Sequence, residues 1–343
     1  MIAFVTRRIL VAIVMLFVMA FTVFALFFAT PGDPALTSCG KYCTAEKLET
    51  VRKVLGYDKP VSYQFGEFVK GVFVGRDYPV SDEYRAALIA NGNERLVIHC
   101  DAPCLGYSQR QSSTVNDLIA EAAPATFSLS IAAFIMWIFF GISFGIIAAV
   151  NKGKWLDRML VGITLVVYAL PVFVIGNFLL QYVSIKWQLF PYPRYAPIAD
   201  GVGPWLIGLI LPAVTLALFF MAAYVRFTRA FVLEALSEDY IRTARAKGLP
   251  ARTVLVKHGL RAALTPLVTL AGLDFAVLLA GAVITESVFN YQGLGLLAVR
   301  ANQDVDLPVL IGLVLVAGTA VIVANIIVDI LYAYIDPRVR LRK

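Results

Sequence analysis

Four cysteines, two histidines and a few acids inside apolar runs are the residues of this chain whose types could do chemistry. The cysteines form two Cys-x-x-x-Cys pairs, Cys39 with Cys43 and Cys100 with Cys104. Outside a membrane such sulfurs are expected to form disulfides. Three pairings are possible, and joining Cys39 or Cys43 to Cys100 or Cys104 would close the larger loop and constrain the unfolded chain more. A four-thiolate zinc site beside His99 is the alternative, but its usual knuckles are tighter, so no metal site is expected. Neither His99 nor His258 has a Ser or Cys placed as a nucleophile, which argues against a membrane hydrolase. Gly153-Lys154-Trp155 lacks the upstream Gly and the hydroxyl of a phosphate-binding loop, so no ATP hydrolysis and no cofactor is expected in this chain itself.

Two acids, Asp274 and Asp329, fall inside apolar runs, where an acid costs about 2.5–3.5 kcal/mol on insertion scales. Asp274 is the deeper one. It is expected either to line a polar path, where it would meet an amine, or to bond to a neighbouring helix. Asp329, seven residues before Asp336, is expected to be a hydrated helix-end group or a partner for Arg338. Asn177, Gln181 and Asn325 are further lining candidates, with interhelical hydrogen bonding as the plainer alternative.

These residues are carried by a chain with 59% hydrophobic and 15% charged residues, against about 25% charged in soluble proteins. An integral membrane protein follows. Six runs reach about 20 apolar residues, enough to cross a bilayer: Ile9–Ala29, Ala125–Val150, Met159–Val183, Trp205–Val225, Leu264–Ile284 and Val309–Ile330. The first is expected to be retained, because it exceeds a signal-peptide core and Thr30-Pro31-Gly32-Asp33 is no small-x-small cleavage site. Pro171 and Pro212 are expected to kink the third and fourth spans. One side of this topology collects 17 Lys and Arg against five acids, which places it, with both termini, in the cytoplasm. The net charge of +7 is then explained by topology and anionic lipid, and nucleic acid is not an expected partner.

Segment 226–261 is a 36-residue island of charge between two spans. Leu233 to Ala246 has the apolar spacing of an amphipathic helix, Gly248 stops it, and Pro250 opens a second short helix. Asp239-Tyr240-Ile241-Arg242-Thr243-Ala244-Arg245-Ala246-Lys247-Gly248-Leu249 resembles the cytoplasmic ATPase-docking loop of ABC importer permeases, in the peptide-transporter variant. That family usually has Glu-Ala-Ala six residues before its Gly, where this chain has Arg242, Thr243 and Ala244. Pro31-Gly32-Asp33-Pro34, Leu55-Gly56-Tyr57-Asp58-Lys59-Pro60-Val61 and Tyr63-Gln64 are similar to the opening of the outer region in B-type dipeptide and oligopeptide permeases. The family's Gly-Asp-Leu-Gly-x-Ser-like stretch is split here: Gly75-Arg76-Asp77 and Leu105-Gly106-Tyr107-Ser108 flank an insertion around 78–104 that holds Cys100 and Cys104. Pro124-Ala125-Thr126 and the outer-side segment Glu286-Ser287-Val288-Phe289-Asn290-Tyr291-Gln292-Gly293-Leu294-Gly295 also match.

The resemblance implies an all-α membrane protein of six transmembrane helices, of the type I ABC importer kind, with a small extracytoplasmic subdomain between helices 1 and 2. Its parts would be 1–29 (terminus and first helix), 30–123 (outer subdomain), 124–338 (permease core, including the docking loop) and a tail, 339–343. It implies a permease subunit for di- and oligopeptides; nickel chelates, glutathione or another small solute are the alternatives within the architecture. An ion-coupled secondary transporter using Asp274 and Asp329 would need internal repeats that are not seen. The implied partners are a homologous second permease, one or two P-loop ATPases that bind the ATP and Mg, an extracytoplasmic binding protein, the peptide itself and membrane lipid; the insertion, a departure from the family, would either contact that binding protein or brace the subdomain without contact. In the docking loop Tyr240, Ile241 and Ala244 would fill the ATPase groove, Arg242, Arg245 and Lys247 would meet acids at its rim, Thr243 would lie between, and Gly248 would allow the turn. Asp274, Asn177 and Gln181 would line the path. Glu286, Phe289, Asn290, Gly293 and Gly295 would mark the outer face.

Overall fold

The computed structural model describes residues 2–29, 34–39 and 43–335. Pro31, Gly32, Asp33, Asp336 and the basic residues at 338–343 lie outside these, as does the side chain of Asp329. Five of the six expected apolar runs each fall on a single helix. Among the described residues, Val115–Val150, Val202–Ser237, Ala251–Phe275 and Leu307–Ile327 are long and apolar enough to cross a membrane; Leu10–Ala25 is a shorter apolar stretch. The third expected span is a pair of helices, Trp155–Ala169 and Val172–Lys186, bent by 101°. The bend falls at Leu170-Pro171, where the proline ring disfavours helical backbone at the preceding residue and removes a donor. Pro212, expected to kink its helix, lies within an unbroken Val202–Ser237.

The chain divides into two compact units. The first, Met1–Ala123 with Leu297–Thr319, contains α1 (Ile2–Ala29), α2 (Pro34–Cys39), α3 (Ala45–Leu55), α4 (Val61–Val74) and α5 (Asp82–Ala90). It also holds two short antiparallel pairs, β1 (Arg76–Tyr78) with β2 (Ile98–Cys100) and β3 (Tyr107–Ser108) with β4 (Ser113–Thr114). Helix α3 starts where the Thr44 hydroxyl accepts the Lys47 N–H and stops at Gly56, whose φ of 74° is the left-handed cap. Phe17, Phe21 and Phe24 of α1 set their rings edge-on to Phe65 of α4 at 5.4–5.7 Å, a geometry favoured by the ring quadrupole. In the β1–β2 register Asp77 faces His99, and their side chains meet at 2.5 Å. The Asp77 carboxylate holds the exposed His99 imidazole above its usual pKa.

Both disulfides are local: Cys39 pairs with Cys43, and Cys100 with Cys104. Of the three possible pairings, this is the one that does not link the two motifs, so neither bond closes the large loop. All four sulfurs are consumed, and the four-thiolate zinc alternative is not formed. Cys100 and Cys104 are buried with Tyr78, which stacks on Tyr107 at 5.5 Å.

The second unit, Pro124–Leu296 with Ala320–Lys343, is built from most of α6 (Val115–Val150), α7 (Trp155–Ala169), α8 (Val172–Phe178) with a π-helical continuation to Lys186, α9 (Val202–Ser237), α10 (Asp239–Ala246), the single turn α11 (Ala251–Thr253) and α12 (Leu260–Phe289). Ala125, Leu129, Ala133 and Trp137, four apart on α6, form one buried face against Leu209, Leu216 and Tyr224 of α9 and Leu267 and Leu278 of α12. Trp137 stacks on Phe220 at 4.4 Å. One turn further, α6 and α9 come so close that a Cβ on Gly141 or Gly145 would lie 2.7 Å from Tyr224 Cβ or 2.4 Å from Thr228 Cβ. Small residues four apart are how membrane helices pack backbone to backbone. Two further helices, α13 (Leu294–Gln303) and α14 (Leu307–Ile335), complete the described chain.

The cysteine pairing is read directly from tryptic peptides under non-reducing conditions. The peptide Leu96 to Arg110 is expected intact and two hydrogens lighter than its reduced form, while Tyr42 to Lys47 is expected joined to the fragment ending at Lys41. A cross-link between these two peptides would overturn the local pairing.

Candidate functional site

The charged island folds as one compact turn on the ends of α9 and α12. Helix α9 runs to Ser237, so the amphipathic helix expected over 233–246 is divided: Glu238, with extended backbone (φ −66°, ψ 152°), separates α9 from α10. At the other end the Gly248 N–H bonds the Arg245 carbonyl at 2.9 Å, and Gly248 takes a left-handed φ of 76°. A Cβ there would meet nothing within 4 Å, so the backbone and not crowding asks for glycine. The second short helix expected after Pro250 is no separate element. Residues 251–253 pass through a π-helical segment, Val254–Gly259, straight into α12.

The faces of α10 divide the expected docking residues. Ile241 is fully buried and Ala244 is 6% exposed, packed with Val254 and Leu236 of the same chain. The expectation that these two fill a partner's groove is therefore corrected: their side chains are already inside this chain's own core. Tyr240, Arg242, Thr243, Arg245 and Lys247 face outward, with Gly248 and Leu249. Arg242 reaches Asp239 at 3.4 Å, but both side chains are so exposed that the pair contributes little.

A buried ion pair that sequence reasoning missed braces this turn. Arg229 of α9 donates through Nε to Asp157 Oδ1 at 2.6 Å and through Nη2 to Oδ2 at 2.8 Å. Asp157, in the first turn of α7, also accepts the Gly153 N–H at 2.8 Å. Only 5% of the Asp157 side chain is exposed. Three directed donors satisfy a carboxylate that burial would otherwise make costly. Asp157 and Arg229 are 72 residues apart, and no local periodicity links them.

The outer-side motif is a lock. Glu286 is completely buried; Oε1 accepts the Thr126 hydroxyl at 2.6 Å, and Oε2 accepts the Gly295 and Leu296 N–H groups at 2.7 and 3.0 Å. Thr126 in turn accepts the Leu294 N–H at 2.8 Å. The carboxylate thus satisfies the free N–H groups at the start of α13, where helices carry unpaired donors. Asn290 ends α12 in left-handed backbone (φ 49°, ψ 40°), and Phe289 and Tyr291 are fully buried on either side of it. A Cβ on Gly293 would lie 2.5 Å from the Glu286 carboxyl, and one on Gly295 2.4 Å from Val283 Cα. Both glycines are therefore required by close approach.

Of the lining candidates, Asp274 is half-buried on α12 and accepts the Tyr224 hydroxyl of α9 at 2.8 Å. It stands beside an aromatic cluster in which Phe134 meets Phe275 at 5.0 Å and Trp137 meets Tyr224 at 5.8 Å. Asn177 on α8 and Gln181 in the π-helical turn are exposed, and among the described residues no hydrogen bond joins either to Asp274. Asn325 is half-buried on α14.

Two outcomes are expected in detergent-solubilised protein. Glu286→Ala orphans the α13 donors and should cost about 2–4 kcal/mol of thermal stability, with Glu286→Gln intermediate; unchanged melting of both would refute the lock. A double-mutant cycle of Asp157→Asn and Arg229→Gln should show about 1–3 kcal/mol of coupling, and additive single effects would show that the pair contributes nothing jointly.

The comparisons with known proteins agree with this architecture. Residues 141–341 match the family described as "Binding-protein-dependent transport system inner membrane component", and residues 1–130 match the family described as its N-terminal part. The "Probable peptide ABC transporter permease protein y4tP" of Sinorhizobium fredii is 34% identical over 338 residues, 98% of this chain and 99% of that protein. The "Glutathione transport system permease protein GsiC" of Shigella flexneri is 35% identical over 340 residues, covering 99% of each. Among solved structures, an inward-facing form of the MetNI methionine ABC transporter matches with a TM-score of 0.52 at 17% identity, over 64% of this chain and 97% of that one, which is a likeness of fold. The chain is an all-α, multi-pass membrane protein of the type I importer fold, and it belongs to the family of inner-membrane components of binding-protein-dependent transport systems.

Proposed function

We propose that this chain is the permease subunit of an ATP-driven importer of short peptides, lining one half of a translocation path shared with a homologous second permease. The observation that carries the reading is the turn at 238–250: a rigid projection whose inward residues, Ile241 and Ala244, anchor it and whose outward residues include Tyr240, Arg242, Arg245 and Lys247. Such a surface suits an acidic-rimmed groove on an ATPase. The cytoplasmic position of this turn and of both termini, with segment 30–123 outside, rests on the Lys and Arg asymmetry. ATP and Mg would be bound by the partner ATPases, and this chain would perform no hydrolysis of its own. Relatives named for peptide and for glutathione, itself a small peptide, support a short-peptide cargo.

The mechanism follows from continuity. The turn is flanked by α9 and α12, which share the largest packed interface of their unit through Tyr224, Leu267 and Leu278. A partner that grips the turn in two different positions would tilt both helices together. A nucleotide shifts such an equilibrium only by its differential affinity for the two states. Asp274, which accepts the Tyr224 hydroxyl between these helices, would meet a peptide amine in the path, with Asn177 and Gln181 as secondary candidates.

Gly248→Asp tests the reading. The variant should insert and assemble with its partners, yet ATP-driven peptide uptake in reconstituted vesicles should fall by about ten-fold or more, with ATP hydrolysis no longer stimulated by peptide-loaded binding protein. Wild-type uptake by the variant, or uptake by this chain alone without ATP, would overturn it.

A further inference from the structure

The first unit encloses a cavity of about 430 Å³, in the range of about 300–1,000 Å³ typical of small-ligand sites. It is lined by Phe24 of α1, by residues between 53 and 110 and by the segment 305–311, all of the same unit. Its floor is apolar, formed by Phe24 and Ile311, both buried. One wall is the stacked pair Tyr78 and Tyr107, with centroids 5.5 Å apart. The lining carries as many acidic as basic side chains, with Glu83 exposed at the rim.

Arg76 is the polar feature that points to a ligand. Its guanidinium lies over the Tyr78 ring at 5.6 Å and interacts with the Tyr78 side chain, while its Nε alone is buried with no hydrogen-bond partner among the described residues. A buried donor left unpaired is costly, and a guanidinium is matched best by a carboxylate. The scaffold holding Arg76 is well braced: β1 pairs with β2, the Cys100–Cys104 disulfide closes the adjoining turn, and Ser108 donates to buried Asp306. An apolar floor, an aromatic wall, a guanidinium in the lining and acids at the rim suit a small zwitterion. An anionic lipid would satisfy Arg76 but would set its phosphate among the acids.

We infer that this cavity is a second peptide-binding site, on the outer subdomain, which holds the terminal carboxylate of a short peptide on Arg76 and an apolar side chain against Tyr78 and Tyr107. The inference rests on the peptide-importer reading for its ligand class. It places a cargo-holding site on the permease itself, within its first unit.

The test uses the full chain in lipid nanodiscs and labelled alanyl-phenylalanine, with its carboxyl amide as competitor. Wild-type protein should bind the acid saturably and the amide about ten-fold more weakly. Arg76→Gln should bring the acid down to the level of the amide, and Tyr107→Ala should weaken both equally. The acid–amide comparison needs no variant, so it stands if Arg76→Gln does not fold. Equal binding of acid and amide, no binding at all, or acid binding that survives in folded Arg76→Gln would overturn the inference. ATP-driven uptake of the same dipeptide by the assembled importer separates the two failures: uptake without binding to this chain sinks the cavity and leaves the importer reading, whereas binding without uptake does the reverse.

Discussion

A carboxylate without water around it must be given donors by the chain that buried it, and Glu286 receives three from two distant places in the sequence. Thr126 lies at the start of the buried face of α6, Glu286 near the end of α12, and Gly295 and Leu296 in the first turn of α13. Each would be costly alone: the acid unpaired, the helix start with its N–H groups open. Brought together they satisfy one another. The close approach that this requires leaves no volume for side chains at 293 and 295 and forces the chain to reverse through left-handed Asn290. The buried Phe289 and Tyr291, and through them the packing of α12 on α8 and α9, follow from that one constraint.

At the opposite end of the same helices the chemistry is of another kind. There a charged surface has to stay wet and still keep its shape. Ile241 and Ala244 supply the shape by packing on Val254 and Leu236, and the Asp157–Arg229 pair ties α9 to the start of α7 just before the turn begins. The unit thus has a sealed polar lock at one end of α12 and a braced, exposed turn at the other, with an aromatic layer around Trp137 and Asp274 between them. A helix held at both ends moves as a body, which is the property a coupling element needs.

Much of this was legible in the sequence because it is written in local patterns. Spans are recognised by apolar length, the turn by its amphipathic spacing and Gly248, the outer motif by its residues. What escaped is non-local or depends on which side of an element faces home. Ile241 and Ala244 have the apolar character of a contact surface, and periodicity alone does not say whether their partner is another chain or this one. Asp157 and Arg229 look like ordinary members of charged segments until the fold joins them. The role of Glu286 could not be separated from that of a binding acid without its donors in view. Gly141 and Gly145 escaped as well: the small residues four apart matter only because Tyr224 and Thr228 of α9 lie opposite them. Loop entropy left the cysteine pairing open because it weighs the unfolded state alone, whereas the folded positions of the four cysteines decide which sulfurs can meet.

That local pairing has a consequence for how the protein is made. Each disulfide joins residues four apart, so both members of a pair are synthesised within moments of each other. Oxidation can follow the order of synthesis, without waiting for later segments and without an isomerase to correct a wrong partner. The disulfide-bonded part of this chain can therefore be covalently finished while most of its helices are still on the ribosome.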